Sequence, residues 1–206
     1  MTTSSAPRPD ARTRLLEAAV AVVRRQGFAA TSVDELCREA GVTKGAFFHH
    51  FPSKEALGVA AAEHWSTTTA ALFAAAPYHD HEDPLDRVLA YIDFRGALIA
   101  DRAVPEFTCL VGTMTQEAYA TSDAIRQACA DSIFGHADTL VADIEAAILR
   151  YRIKPDWTAI SLACHTQAVL QGAFILAKAK GDADFAHESV AHLRRYVELL
   201  FSPRPA

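Results

Sequence analysis

A short stretch near the N-terminus, TKGAFFHHF at residues 43–51, combines residue types that suit contact with nucleic acid. Lys44 can neutralise a phosphate. Gly45 beside it allows a close approach of backbone, although glycine in a helix costs about 1 kcal/mol relative to alanine. The short side chains of Thr43 and Ala46 leave room for a helix in a DNA major groove, where a thymine methyl can meet Ala46. The pattern therefore predicts a surface that contacts double-stranded DNA.

Short helices must position this stretch. Ser32 begins an S-x-x-E pattern that is typical of a capping box at the start of a helix, and Gly41 ends that helix. Thr43 caps the next helix, which we expect over about residues 43–50. A helix over about residues 11–26 precedes both. Three helices with a tight turn between the last two have helix-turn-helix spacing.

The rest of the sequence keeps the helical period and shows no sustained alternation of the kind that marks strands. We therefore predict an all-α fold of about nine helices. Residues 1–10 are expected to be a disordered lead, 11–55 the helix-turn-helix domain, and 56–206 a helical body. The predicted longer helices cover about residues 53–76, 84–100, 106–120, 122–151, 156–180 and 184–201.

Composition indicates a well-packed chain without a membrane segment. Half of the 206 residues are apolar, 22% are charged and the net charge is −5. Residues 1–55 hold eight basic and six acidic side chains, which leaves 12 basic and 19 acidic in residues 56–206. A basic N-terminal part on an acidic body fits a protein that meets nucleic acid at one end. No secretory signal is present, so a cytoplasmic location is expected. The four cysteines are too dispersed for a zinc site, and no cofactor motif occurs.

The segment TSVDELCREAGVTKGAFFHHFPSKEAL, residues 31–57, closely resembles the DNA-binding segment of TetR-type (TetR/AcrR-like) transcriptional regulators. The usual pattern of that family is close to TSVRDIAREAGVSKGTLYHYFPSKEAL. The resemblance implies phosphate contacts from Ser32 and Lys54. It implies groove contacts from Thr43, Lys44, Gly45, Ala46 and His49. Phe48 stands where the family usually has a phosphate-binding tyrosine, so only an apolar contact is expected from it.

The resemblance also implies a homodimer on operator DNA, with the last two helices as the subunit interface and a small-molecule effector that releases a repressor from DNA. Interface candidates are Ala168, Gly172, Ile175, Leu176, Val190, Leu193, Val197 and Leu200. Some of these ladders could instead seal the core of the monomer. An effector pocket is expected between the helices of the body. Its candidate lining residues are Phe73, Phe94, Phe107, Cys109, Gln116, Tyr119, Trp157, His165 and Phe174, each of which could alternatively be plain core.

Cys109 is a candidate sensor. It lies near the start of a predicted helix in PEFTCLVGTMTQE, where a helix N-terminus favours the thiolate. The segment is similar to GCLLGNLAQE, found in TetR-type regulators that respond to electrophiles through that cysteine. A buried packing cysteine is the alternative.

Two other classes of protein compete with the regulator. An enzyme could pair Cys109 with His165, or Ser161 with a histidine, but no nucleophile elbow, P-loop or dinucleotide-binding glycine motif occurs, and we predict no enzymatic activity. A DNA-binding factor without a ligand would need no hollow body. The sequence leaves open whether the protein represses or activates.

Overall fold

The computed structural model describes residues 9–202, which form eleven α-helices and one short 3₁₀ helix. No strand occurs in this range. The helices are α1 Ala11–Gln26, α2 Val33–Ala40, α3 Lys44–His50, α4 Lys54–Ala74, α5 Pro84–Ala97, α6 Val104–Phe107, α7 Leu110–Ala118, α8 Asp123–Asp138, α9 Val141–Tyr151, α10 Ala159–Lys180 and α11 Asp184–Phe201. The all-α prediction is confirmed, and the lead expected at residues 1–10 lies mostly outside the described residues.

Helices α1 to α3 form the N-terminal unit. Asp10 caps α1 by accepting a hydrogen bond from the Thr13 amide at 2.7 Å, and Gly27 ends the helix with φ +93°. Apolar residues at helical spacing on α1 pack over α2 and α3. The most buried members of this core are Leu15, Val22, Leu36, Phe47 and Leu57.

The core of the N-terminal unit extends beyond the predicted boundary at residue 55. Leu110 and Met114 of α7 and Ile125 of α8 are essentially inaccessible and belong to the same apolar cluster as α1 and α4. A separate cluster, built mainly from α5 and α9 to α11, forms the core of the body. Helix α7 therefore packs directly on the N-terminal unit, which matters for any signal between the two.

Two of the predicted long helices are each broken into two. In the first, α6 ends at Phe107, and Thr108 and Cys109 adopt extended backbone before α7 begins. The Thr108 carbonyl accepts a hydrogen bond from Arg24 Nε at 2.7 Å, and the Cys109 sulfur accepts one from the Gly112 amide. These contacts satisfy the groups that a continuous helix would have paired internally. The second break, at Thr139 and Leu140, separates α8 from α9.

Among the helices of residues 9–202, only α10 has the length and the apolar composition that would allow it to cross a bilayer. Its most apolar window has a mean hydropathy of 1.4, and 44% of that window is buried inside the fold. The helix packs on α8, α9 and α11. Its apolar character is thus explained in large part by its position in the core of the body.

Candidate functional site

Helix α3 is fixed to the N-terminal unit by aromatic side chains on one face. Phe47 is fully buried, Phe51 is 3% exposed, and their rings lie 6.0 Å apart. The Thr43 hydroxyl caps the helix by accepting a hydrogen bond from the Ala46 amide at 3.1 Å. Gly41 supplies the left-handed turn between α2 and α3, with φ +61° and ψ 44°. This packing determines which side chains of α3 face outward.

The opposite face of α3 is open to solvent. Its exposed residues are Thr43, Lys44, Gly45, Phe48 and His49, with Ala46 partly exposed. Phe48 is 55% exposed, which is unusual for a large apolar side chain beside a buried one of the same type. A Cβ added at Gly45 would meet only the Thr43 hydroxyl, at 3.7 Å. The fold itself therefore gives no reason for the glycine.

Lys44 lies at the edge of this face and is paired with Asp34 of α2. The distance between Lys44 Nζ and Asp34 Oδ1 is 2.7 Å, and both side chains are exposed. The hydrogen bond that Lys44 donates to Asp34, together with the negative charge of that carboxylate, raises the pKa of Lys44. A phosphate near Lys44 would have to replace Asp34 as the partner of the ammonium group.

The structure gives Lys54 a different role from the expected phosphate contact. Its ammonium nitrogen donates to the carbonyl oxygens of Phe28 at 3.0 Å, Ala29 at 3.4 Å and Thr31 at 2.9 Å. The same nitrogen lies 4.6 Å from the centre of the Phe28 ring. An ammonium group has three hydrogens to donate, and three acceptors surround this one. Lys54 thus joins the start of α4 to the connection between α1 and α2.

Ser32 caps α2 as predicted, but the capping box is only half formed. The exposed Ser32 hydroxyl accepts a hydrogen bond from the Glu35 amide at 3.2 Å. The Glu35 carboxylate does not return to Ser32, because it accepts instead from Gln26 at 2.7 Å and lies 3.7 Å from Arg38. Ser32 remains at the surface at the start of α2, where a phosphate can reach it.

A cavity of about 310 Å³ lies in the body, between α4, α5, α6, α8 and α10. This volume falls within the range of small-molecule sites. Of the predicted lining residues, four line this cavity: Phe73, Phe107, Cys109 and Phe174. Gln116 lines an adjoining cavity of about 190 Å³ that also borders Cys109 and Phe174. Phe94 stands behind Phe73, in an edge contact with ring centres 5.5 Å apart.

Three of the predicted pocket residues line neither of these two cavities. Tyr119 is 61% exposed at the end of α7. Trp157 packs against Phe201, with ring centres 5.9 Å apart, at the far end of the body core. His165 is exposed and stacks on Tyr196 at 5.2 Å. These three residues are pocket candidates by residue type alone. The direction of a side chain depends on the rotation of its helix about the helix axis, and the sequence does not determine that rotation.

The charged residues of the larger cavity were not predicted from the sequence. Arg24 reaches it from α1, Arg95 from α5 and Arg102 from the connection before α6. Arg24 stacks over Trp65 at 5.0 Å and bonds to Thr108, which is 84 positions away in the chain. Helical periodicity in a sequence reports only neighbours within one helix, so it cannot reveal a contact between residues this far apart in the chain.

A buried polar network borders the same cavity. His136 Nε2 lies 2.9 Å from the Tyr91 hydroxyl and 3.4 Å from Arg95, and the Tyr91 oxygen accepts from Gln167 at 3.1 Å. Burial, with a smaller effect of Arg95, lowers the pKa of His136 to about 4. His136 is therefore neutral near pH 7. Since Arg95 only donates, Nε2 is the accepting nitrogen and the ring hydrogen is assigned to Nδ1.

Cys109 borders both cavities. It is half-buried at the start of α7, and its sulfur accepts from the Gly112 amide at 3.5 Å. The Thr108 hydroxyl next to it is fully buried and has no partner among the described residues. Burial raises the thiol pKa values of Cys37 and Cys129, that of Cys129 to about 11.

The alternative enzymatic pairings are not formed. His165 lines neither of the cavities that Cys109 borders. The Ser161 hydroxyl donates to the Thr158 carbonyl at 2.7 Å and takes part in the cap of α10. Neither arrangement has the nucleophile–base contact that covalent catalysis requires.

The outer faces of α10 and α11 carry apolar side chains that the fold does not cover. Exposed residues at helical spacing include Ala168, Ile175 and Leu176 on α10, and Phe185, Tyr196 and Leu199 on α11. Gly172 lies in the same row, and an added Cβ there would meet nothing within 4 Å. Four of the predicted interface residues instead face the body: Val190, Leu193 and Val197 are buried, and Leu200 packs partly against that core. They seal the monomer, which was the stated alternative.

The chain thus combines two parts. Its three-helix unit exposes α3, the second helix of a helix-turn-helix, and its helical body contains a cavity. This combination is the architecture of a ligand-responsive DNA-binding regulator. The family described as bacterial regulatory proteins, tetR family, matches residues 15–61. The family described as tetracyclin repressor-like, C-terminal domain, matches residues 84–193. The chain belongs to the TetR family of transcriptional regulators, as the resemblance predicted.

Known relatives agree with this assignment. The chain is 31% identical over 114 residues to the transcriptional regulator AcuR of Cereibacter sphaeroides, covering 55% of this chain and 52% of AcuR. It is 36% identical over 92 residues to the transcriptional repressor NemR of Escherichia coli, covering 40% of this chain and 41% of NemR. The chain thus spans about half the length of these curated relatives. A solved regulatory protein TetR from Rhodobacter sphaeroides has a TM-score of 0.79 and 25% identity, covering 90% of this chain and 98% of that one.

Proposed function

We propose that this protein is a homodimeric transcriptional repressor that binds operator DNA through α3 and is released by a small organic effector bound in the body. The observation that carries the DNA-binding part is the outward face of α3, where Gly45 has no internal cause and Phe48 is exposed. Binding to chromosomal DNA implies that the protein acts in the cytoplasm.

The residues of the outward face divide into two roles. Thr43, Gly45 and Ala46 are small, so that the helix can enter the major groove with Ala46 near a base edge. Lys44 at the edge of this face and Ser32 at the exposed start of α2 are suited to phosphates, which position the protein without reading sequence. His49 lies one turn after Lys44 and can donate to a base or a phosphate. Phe48, without a hydroxyl, offers only apolar contact with a sugar or a thymine methyl. Lys54 is omitted from this set because its donors are occupied.

A dimer follows from the geometry of recognition and from the uncovered faces of α10 and α11. One α3 contacts too few base pairs for genomic specificity, so helix-turn-helix proteins pair half-sites about one duplex turn apart or a multiple of it. Gly172 and Ala168 leave a shallow groove along α10, and Ile175 and Tyr196 offer apolar surface beside it. Two copies related by a two-fold axis would form a four-helix bundle there.

The test is binding of the purified protein to its own upstream DNA and to random DNA, measured by fluorescence anisotropy and followed by selection of bound sequences. We expect a symmetric site with two half-sites. Lys44→Met should weaken binding to all sequences, whereas Ala46→Ser should change which sequence is preferred. Equal affinity for the upstream and random DNA would contradict the proposal.

The oligomeric part has its own test. Sedimentation at micromolar concentration should give a dimer, and Ile175→Glu should shift it toward monomer. Leu149→Glu is the matched control, since Leu149 is 78% exposed on α9, away from the proposed interface. A stable wild-type monomer would refute the dimer.

A second mode of release involves Cys109. Its sulfur borders two cavities and lies at the N-terminus of α7, and the cations Arg24 and Lys178 each line one of the same cavities. Access from a cavity and nearby cations are features of reactive thiols. N-ethylmaleimide or methylglyoxal should release DNA from the wild type and from the control Cys164→Ser. If Cys109→Ser still releases DNA under the same treatment, Cys109 is not the sensor.

A further inference from the structure

The larger cavity has a net positive lining in a chain whose net charge is −5. Arg24, Arg95 and Arg102 contribute three guanidinium groups, each from a different part of the chain. Glu106 is the one carboxylate in the described lining, and its Oε2 already accepts from the Ala103 amide at 2.9 Å. Charges of one sign concentrated in a recess favour ligands of the opposite sign.

None of the three arginines is ion-paired within residues 9–202. Arg24 uses only Nε, in its bond to the Thr108 carbonyl, and its terminal nitrogens have no acceptor among the described residues. Arg95 stacks on Phe73 at 5.3 Å and contacts His136 at 3.4 Å. Burial lowers the pKa of Arg24, which reflects the cost of holding an unpaired cation away from water. An anion at this position would remove that cost.

The uncharged part of the lining defines the rest of the ligand. Trp65, Leu72, Phe107 and Phe174 form apolar walls. A volume of about 310 Å³ corresponds to roughly ten waters at the density of the liquid, and hence to a ligand of about that many heavy atoms. His136 is neutral, and its Nδ1–H makes no hydrogen bond with the described residues, so that it can add a donor.

We infer that the effector is an organic anion, a carboxylate on an apolar or aromatic body of about ten heavy atoms, whose carboxylate is bound by Arg24 and Arg102. This inference rests on the proposed function and names the chemical class of its effector. The planar guanidinium fork matches a carboxylate in two parallel hydrogen bonds, and such bonds are stronger than neutral ones.

Arg24 also gives the anion a route to the DNA-binding unit. It is the one described residue of the cavity lining that comes from α1 to α3. The Thr108 carbonyl accepts from Nε of that guanidinium, and Thr108 and Cys109 together lead into α7. A carboxylate bound to the terminal nitrogens therefore acts on the side chain that joins α1 to the segment before α7. If the anion binds better when α1 and α7 take a different arrangement, it shifts the population toward that arrangement.

The test uses matched probes that differ only in charge, 3-phenylpropanoate with 3-phenylpropanamide and hexanoate with hexanamide. Calorimetry and thermal shift are measured on the full chain at 100 mM salt. We expect the carboxylates to bind and to stabilise the protein, at least roughly tenfold more tightly than the amides. The same carboxylates should weaken binding to the upstream DNA.

Variants assign the effect to the cavity. Arg24→Gln and Arg102→Gln should each weaken carboxylate binding by roughly tenfold. Arg126→Gln is the control, since Arg126 is exposed on α8 and pairs with Asp123 outside the cavity. Arg102 is exposed at the cavity mouth, so its variant remains informative if Arg24→Gln fails to fold.

The inference is overturned if amides bind as well as carboxylates, if no carboxylate of the panel binds, or if both cavity variants bind like Arg126→Gln. Binding of the ligand-free protein to its upstream DNA is measured in parallel. Failure of the anions with DNA binding intact would remove only this inference, whereas loss of DNA binding would remove the proposed function.

Discussion

Replacing Lys54 tests whether this lysine stabilises the fold, in contrast to Lys44 of the same domain, for which a DNA contact is proposed. The change Lys54→Met keeps the apolar stem and removes the ammonium group. Two of its three hydrogen bonds, to Thr31 at 2.9 Å and to Phe28 at 3.0 Å, have good lengths, and the Phe28 ring lies 4.6 Å from the nitrogen. Lys44, which has no carbonyl acceptors, provides the comparison within α3.

The magnitude follows from these contacts. Hydrogen bonds of a charged donor contribute about 1.5–3 kcal/mol each in net terms, and an exposed cation–π contact adds about 0.5–1 kcal/mol. Lys54 is only partly buried and the contacts share one donor group, so we expect a total loss of about 2–3 kcal/mol. In a chain of this size that corresponds to a fall in Tm of roughly 5–10 °C.

Thermal unfolding followed by circular dichroism measures the loss of stability. The salt dependence of DNA binding measures the number of phosphate contacts. Lys54→Met should lower Tm and leave the slope of log K against log salt unchanged. Lys44→Met should leave Tm unchanged and reduce that slope by roughly one per bound protomer. The reasoning fails if Lys54→Met keeps the wild-type Tm while reducing the slope, because Lys54 would then be a phosphate contact after all.

Two further substitutions probe other parts of the molecule. Phe47→Ala should destabilise the protein by about 3–5 kcal/mol, because the side chain is fully buried. Phe48→Ala should leave Tm unchanged and weaken DNA binding. Equal Tm values for the two variants would contradict the assigned faces of α3. For His136, whose folded pKa of about 4 lies below the ordinary histidine pKa of 6.5, the unfolded chain binds more protons between these pH values. Stability should therefore fall as the pH is lowered through that window, by up to about 3 kcal/mol. His136→Gln should flatten the dependence of Tm on pH there, and an unchanged curve would show that another group is responsible.

The fold could be predicted where local signals and burial agree. Helix α1 begins and ends as expected, because Asp10 and Gly27 are local caps and the apolar spacing between them is regular. The same holds for the turn at Gly41 and for the start of α3 at Thr43. The resemblance to the family was also found in residues 31–57, where the helices and turns are determined by neighbouring residues in the sequence.

The breaks after Phe107 and Asp138 could not be predicted, since helical periodicity continues through both. The first break depends on Arg24, whose bond to the Thr108 carbonyl exists only once α1 and α6 are assembled. For the same reason the sequence suggested aromatic residues for the cavity but not its arginines. An aromatic side chain indicates a pocket by type, whereas an arginine is usually a solvated surface residue until tertiary contacts enclose it.

Helix α7 links the cavity to the DNA-binding unit at both of its ends. At its start, Cys109 borders the cavity and Thr108 holds Arg24 of α1. At its end, the Glu117 carboxylate accepts from the Ala29 amide at 2.7 Å, and it lies so close to Gly27 that a Cβ there would have no room. Ala29 lies in the connection between α1 and α2, so α7 is joined to the helix-turn-helix unit by this hydrogen bond as well as by the shared apolar core. Allosteric coupling energies are typically about 1–3 kcal/mol, which is also the range of one hydrogen bond to a charged group. If the inferred anion changes the contact between Arg24 and Thr108, the free energy of that one contact is therefore of the size that allosteric coupling requires.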